Sequence, residues 1–351
     1  MKRILITGTH GYVGTSLAAY LAQWPERYET TFVSLRDETW QGSEVEGVAR
    51  QSGSWQGYDV LLHAAGLVHQ AHAPAALYDR VNRVLTEQVA EKAKRDGIGK
   101  FILMSTMAVY GVDDRIGRKN EIGADSLPAP RSPYGKSKLA AEAAALEQRD
   151  ARFVVNIVRA PMVYGPRCPG NYAKLRRLTL RFGLIPAVTN ERSMIYIDHL
   201  CEYIRLLIDG DRERAFSRQD DEHEGAFDPQ AGDHEQAFGR QDGKHEGAFD
   251  PQGGAYDGIF CPQDGEYADT ASLMEWIATA HGRHVHRSRL LGFGVRSAGM
   301  FLPGLRKAFG NLTYDRSLSV IPCADYCRLR TREAVRETET DGYVPQEIDK
   351  I

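Results

Sequence analysis

Apolar and polar positions fall along the chain in blocks whose period keeps changing. Lys2–Thr7 is an apolar run closed by glycine, the pattern of a buried strand. Tyr12–Gln23 switches to helical spacing and stops at Pro25. The same switch recurs, with strands expected at Thr30–Leu35, Val60–Ala65, Phe101–Ser105 and Phe153–Arg159. Between them lie helices at Leu77–Arg95, Pro133–Gln148 and Tyr172–Phe182, the second capped by Ser132 with Pro133 in its first turn. This alternation predicts an α/β fold built on a doubly wound parallel sheet. Only 23 positions separate Arg36 from Asp59, so the third strand must be short, with Gly42–Arg50 as its weak candidate. After a helix at Asp198–Ile208 the order becomes irregular: a helix from Ser272, a basic strand at Arg283–Arg289 and a charged helix at Thr331–Thr338. Leu290–Phe309 mixes glycine with Leu, Phe and Met. It reads as core packing of a smaller second domain rather than as a membrane-surface helix.

One segment does not belong to this pattern. Four tandem eleven-residue units, AFSRQDDEHEG, AFDPQAGDHEQ, AFGRQDGKHEG and AFDPQGGAYDG, fill residues 215–258. A diverged fifth copy, Ile259–Asp269, leads into the Ser272 helix and is the original structural segment by this reading. One Phe per unit among Asp, Glu, Gln and Gly offers too little apolar surface to offset the entropy of ordering. A mobile loop is expected, in preference to a short solenoid. His223, His234 and His245 are too widely spaced for a metal site, and none is expected at His281, His284 and His286, where arginines interleave.

Charge and cysteine content narrow the function. Lys+Arg number 44 and Asp+Glu 47, a net charge of -3, so nucleic acid is not the expected partner. No run of about 18 apolar residues exists, so no membrane span is expected. The N-terminal apolar stretch is too short for a secretory signal, and five scattered cysteines form no disulfide framework. A cytoplasmic protein is the expectation.

Three motifs carry candidate chemistry. Gly8, Gly11 and Gly14 sit between a strand and a helix. They allow a tight turn, close approach of backbone to a pyrophosphate, and packing of helix on sheet. Tyr134 and Lys138 stand four apart on a helix and share a face. A phenol titrates near pH about 10, and a neighbouring ammonium together with a charged nicotinamide would lower that value enough for proton transfer. Ser105 and Thr106 end a strand at the edge where doubly wound sheets bind ligands, and either hydroxyl could hold a reacting oxygen.

Taken in order, the glycine motif, His63-Ala64-Ala65, Asn82, Ser105-Thr106 followed by Val109-Tyr110-Gly111, Tyr134 with Lys138, and Val163-Tyr164-Gly165-Pro166 resemble the extended short-chain dehydrogenase/reductase family. The likeness is to its nucleotide-sugar epimerase/dehydratase branch, over residues 1–210 and more loosely 259–338. The resemblance implies a Rossmann dinucleotide domain over residues 1–165, a substrate-binding portion over 166–338, and a tail at 339–351. It implies that Gly8, His10, Gly11, Tyr12, Val13, Gly14, Ala64, Ala65 and Asn82 hold the cofactor, with Tyr134 as acid/base and Lys138 on the nicotinamide ribose. Thr106 takes the catalytic hydroxyl position, with Ser105 as its substrate-side neighbour. Asn171 and Arg192 are implied at the diphosphate of a uridine or thymidine diphosphate sugar, a role for which an arginine fork is suited. Arg36 falls where an acid would favour NAD and could instead meet the extra phosphate of NADP. NAD is expected from the branch, and a homodimer is implied.

The departures sharpen the expected activity. Related 4,6-dehydratases carry Asp-Glu where this chain has Met107-Ala108. Without an acid and a base there, dehydration is disfavoured. What remains is 4-epimerisation of a nucleotide-diphosphate sugar through hydride transfer to and from NAD, or reduction of a 4-keto sugar by NAD(P)H. A non-catalytic cofactor sensor is the least favoured reading, since both Tyr134 and Lys138 are present.

Overall fold

The computed structural model describes residues 1–35, 53–68, 73–111, 116–210, 248–249 and 256–340. The chain opens with β1 (Lys2–Thr7), α1 (Tyr12–Leu21), β2 (Tyr28–Val33) and β3 (Val60–His63). A long helix follows in three parts: α2 (Ala75–Tyr78), a π-helical stretch (Asp79–Val84) and α3 (Leu85–Arg95). Next come β4 (Lys100–Thr106), a 3-10 turn (Met107–Tyr110), β5 (Glu121–Ile122), α4 (Pro133–Glu147) and β6 (Val154–Ala160). The second half contains β7 (Met162–Tyr164), α5 (Asn171–Arg181), β8 (Leu184–Pro186), β9 (Met194–Tyr196) and α6 (Ile197–Asp209). It continues with β10 (Ala248–Phe249), β11 (Tyr256–Phe260), α7 (Thr270–Ala280), β12 (His286–Ser288) and α8 (Arg289–Gly299). It closes with α9 (Pro303–Phe309), β13 (Thr313–Tyr314), α10 (Cys323–Tyr326) and α11 (Thr331–Thr340).

Among the described residues the main sheet has seven strands in the order β10-β11-β6-β4-β3-β1-β2. All neighbours are parallel except β10 and β11. This is the expected Rossmann-type doubly wound sheet. Both faces are covered, which is why its strands read as unbroken apolar runs. Ile4, Ile6, Val60, Leu62, Ile102 and Met104 pack on one side with α1 and α6; Leu5, Leu61, Phe101 and Leu103 pack on the other with α3 and α4. β1 pairs with β2 on one side and β3 on the other, so strand order reverses there and a crevice opens at their C-terminal ends.

Several expectations shift. The helix expected as one α segment from Leu77 contains the π stretch around Asn82, which the spacing of apolar residues cannot reveal. The candidate third strand lies outside the described residues, as does most of the repeat. The fourth repeat unit is not all loop, however: Ala248–Phe249 and Tyr256–Gly258 are strand, because β11 extends the main sheet on β6 and recruits β10 at its edge. The fifth copy is packed as expected, with Phe260 through Asp264 buried. The tail is shorter than expected, since Glu339 is buried and accepts hydrogen bonds from Tyr172 and Arg176. Leu290–Phe309 forms two helices that bury only part of their apolar surface. Phe309 is inside, whereas Leu290, Phe293, Met300 and Phe301 are exposed. No helix among the described residues is long and apolar enough to cross a membrane.

Candidate active site

The glycine turn and the loop after β3 meet at the crevice. Gly8 has φ +86°, and a Cβ there would lie 2.9 Å from the Ala65 nitrogen. Only glycine lets these two loops close on each other. The Gly11 nitrogen donates to the Gly8 carbonyl at 2.9 Å, and Gly11 is the N-cap of α1. The first N–H groups and the dipole of α1 thus face a cradle bounded by Ala64 and Ala65, which a side chain would fill and a pyrophosphate fits. Val13 packs against the core. The Tyr12 hydroxyl reaches toward Gly165, where a Cβ would come within 2.8 Å of it. His10 is exposed and shares a 3.0 Å hydrogen bond with Thr9. Arg36 lies outside the described residues.

β4 delivers its two terminal hydroxyls to opposite sides. Thr106 faces the Tyr134 hydroxyl, and its own oxygen accepts from the Ala108 nitrogen at 3.2 Å. Ser105 is turned inward and donates to Glu142. Alternation along a strand explains the split. Ser105, expected on the substrate side, is thereby engaged within the protein. Gly135 sets α4 at the right height: a Cβ on it would come 2.7 Å from the Ala108 carbonyl oxygen. The helix therefore rests on the 3-10 turn, and Tyr134 meets Thr106. Ser132 caps α4 as expected, accepting from the Gly135 nitrogen at 3.0 Å.

The electrostatics differ from the motif's suggestion. Burial pushes the Tyr134 phenol up to about 12, with Tyr78 adding to the rise and Thr106 opposing it. The lowered value expected from the adjacent lysine is not what the protein alone provides. Burial likewise brings Lys138 down to about 8, with the Glu142 carboxylate opposing. His63 is pushed to about 3, first by burial and then by the Lys138 ammonium. It stays neutral against Thr7, 2.8 Å from its Nδ1.

Asn82, expected at the cofactor, has its amide committed within the protein. Its Oδ1 accepts from the Leu67 nitrogen at 2.7 Å, and its Nδ2 donates to the Leu67 carbonyl and to Ser137 Oγ at 2.9 Å. It ties the loop after β3 to α4, between Tyr134 and Lys138. Sequence reasoning also missed a buried ion pair beneath these residues. Arg159 on β6 donates to both Glu142 oxygens, at 2.6 Å to Oε2, and to the Tyr110 hydroxyl at 2.8 Å. Burial alone would lower the guanidinium, but its hydrogen bonds to Glu142 hold it above its ordinary value.

Asn171 and Arg192 come together, far apart though they are in sequence. Both line a cavity of about 290 Å³ with Met162, Lys174, Leu175 and Met194. Arg192 is anchored through the Gly310 carbonyl at 3.0 Å. Lys174 was not anticipated; its spacing of three from Asn171 on α5 is the signal that could have revealed it. Tyr134 and Thr106 do not line this cavity.

Among the described residues His199, Asp264 and Cys327 come close enough to suggest a metal site. His199 Nε2 already accepts from the Arg328 and Leu329 nitrogens, so its Nδ1 donates to Asp264 at 2.8 Å. The His199–Asp264 pair is a buried hydrogen-bonded network, with the half-buried Cys327 beside it turned to the Gln263 carbonyl.

A family model described as the NAD dependent epimerase/dehydratase family matches residues 4–216. A UDP-glucose 4-epimerase of Vibrio cholerae is 30% identical over 223 residues, 59% of this chain and 67% of that protein. An N-acetyl-alpha-D-glucosaminyl-diphospho-ditrans,octacis-undecaprenol 4-epimerase of Escherichia coli O157:H7 is 26% identical over 212 residues, 58% of this chain and 62% of that protein. The chain thus spans about two thirds or less of the length of these curated relatives. The crystal structure of a UDP-glucuronic acid 4-epimerase from Bacillus cereus in complex with NAD superimposes with a TM-score of 0.62 at 18% identity, covering 97% of each chain. With a family match over more than half its length and a glycine cradle that fits a dinucleotide, the chain belongs to the NAD dependent epimerase/dehydratase family and is an enzyme whose cofactor is NAD.

Proposed function

We propose that the protein is a 4-epimerase of a nucleotide-diphosphate sugar, most simply a UDP-sugar. The observation that carries this reading is the approach of Thr106 to the Tyr134 hydroxyl at the end of β4, with no ionisable side chain at Met107 or Ala108. Gly8, Gly11 and Gly14, flanked by His10, Tyr12 and Val13, hold the dinucleotide with Ala64 and Ala65 opposite. Bound NAD supplies a hydride acceptor, a hydride donor after it is reduced, and positive charge on the oxidised nicotinamide. That charge, added to the Lys138 ammonium, offsets the burial that raises Tyr134. Tyr134 then removes the proton from the sugar 4-hydroxyl and returns it once the 4-keto sugar has turned over. Thr106 holds the reacting oxygen. Asn171, Arg192 and Lys174 grip the diphosphate. Glu142 is the nearest buried acid to this site on α4, and its commitment to Arg159 and Ser105 keeps it from dehydration chemistry.

Reduction of a 4-keto sugar would use the same residues for the return half only. Incubation with a panel of UDP-sugars, with and without added NAD(P)H and followed by NMR, separates the two. An epimerase interconverts C4 epimers without stoichiometric cofactor. Consumption of NAD(P)H with no interconversion assigns reduction instead.

A further inference from the structure

Thirteen large apolar side chains are exposed among the described residues, and nine of them lie in two short stretches, Leu178–Leu184 and Leu290–Leu302. Such clustering marks a surface with a partner rather than ordinary scatter. The two stretches are joined. β8 carries Leu184 and pairs with β12 in the register Leu184 to His286, and α8 follows β12 directly. Gly292 presses α8 onto Ala187, where a Cβ would lie 2.6 Å from the carbonyl oxygen. That contact turns Leu290 (81% exposed) and Phe293 (71%) outward. Met300 (71%) and Phe301 (78%) continue the face at the turn into α9.

The charge around this face is one-sided. Residues 151–190 and 276–314 contain no Asp or Glu, in a chain whose overall charge is -3. Arg177, Arg181, Arg289 and Arg296 are exposed and have no acidic partner among the described residues. Arg181 lies over the exposed Phe182 ring at 5.6 Å, its charge beside an apolar tip. A hollow of about 550 Å³ along α5 is lined by Lys174, Arg177 and Arg181.

We propose that this face docks on an anionic lipid bilayer, its aromatic and aliphatic tips entering the headgroup–acyl boundary while the arginines meet lipid phosphates. Apolar tips with exposed arginines beside them, none with an acidic partner among the described residues, match that boundary on both counts. A second copy of the chain matches it poorly, because a two-fold contact would set these arginines against their own counterparts. The inference rests on surface composition and does not depend on the proposed epimerisation.

The test is flotation of the full chain with phosphatidylcholine vesicles, with and without about 30 mol % phosphatidylglycerol. Flotation is expected only with the anionic vesicles and is expected to weaken in about 0.5 M NaCl. Arg289→Glu with Arg296→Glu should cut partitioning at least about 20-fold, and Leu290→Ser with Phe293→Ser and Phe301→Ser by a similar factor. Both variants change only exposed side chains and should melt with the parent, so a loss of binding is not a loss of fold. The proposal is overturned if neither vesicle is bound, or if both variants bind like the parent. It is equally overturned if the variants change only oligomeric mass in light scattering, which would assign the face to a second copy.

Discussion

At the scale of single residues the site is governed by burial more than by neighbouring charge. The sequence places Tyr134 and Lys138 together, but it cannot show that apolar packing against Leu67, Tyr78 and Val81 raises the phenol instead of lowering it. The strand-end motif by itself leaves Ser105 and Thr106 open; the family likeness names Thr106, and Thr106 is the one that faces Tyr134 while Ser105 turns to Glu142. His63 offers a separate test of burial. Its folded value of about 3 lies below the unfolded value of 6.5, so the unfolded chain takes up a proton first as pH falls. Stability is therefore complete above pH 6.5 and is lost between there and about 3, at up to about 1.4 kcal/mol per pH unit. His63→Asn keeps an acceptor for Thr7 and cannot titrate. Chemical denaturation across that range should give a flatter pH profile for the variant, and identical slopes would show that His63 does not titrate on unfolding.

Elements were legible where their signal is local. β1, β3, β4 and β6 were readable because strands covered on both faces are apolar throughout, and α4 because Ser132 and Pro133 announce its start. The π stretch was not read, since Leu77–Arg95 was expected as one continuous helix. The Glu142–Arg159 pair was also missed, since charged residues in a sequence read as surface until their partners are seen. This pair joins α4 to β6 under the catalytic motif. Glu142→Gln leaves a buried guanidinium without its counter-charge and should cost about 3–5 kcal/mol in a denaturant melt. Removing both charges, with Glu142→Gln and Arg159→Met, should recover much of that loss. A single variant as stable as the parent would show that the pair contributes nothing net. Gly135→Ala should lift α4 from the Ala108 carbonyl and lower turnover with little change in melting, because the clash is confined to the first turn of the helix. Unchanged turnover would mean that the approach of helix to turn does not set the position of Tyr134.

For the whole molecule, a parallel doubly wound sheet followed from strand–helix alternation, whereas the order of its strands and the meeting of Asn171 with Arg192 are long-range contacts, the first unread in the sequence and the second only suggested by the motifs. The repeat bears on the limits of the fold. β11 completes the sheet from within the last copies, so replacement of residues 215–247 by a short Gly/Ser linker should leave melting and turnover intact. Extending the deletion through Phe260 removes the strand paired with β6 and should abolish soluble protein. A catalytic loss from the shorter deletion would give the repeats a role in the reaction. The account as a whole turns on proton transfer by one phenol. The most direct measurement is UDP-sugar interconversion by Tyr134→Phe, followed by NMR beside the parent enzyme with melting as the control. A fall in rate of about 10²–10⁴ with an unchanged melt is the predicted result, and interconversion at the parent rate would contradict it.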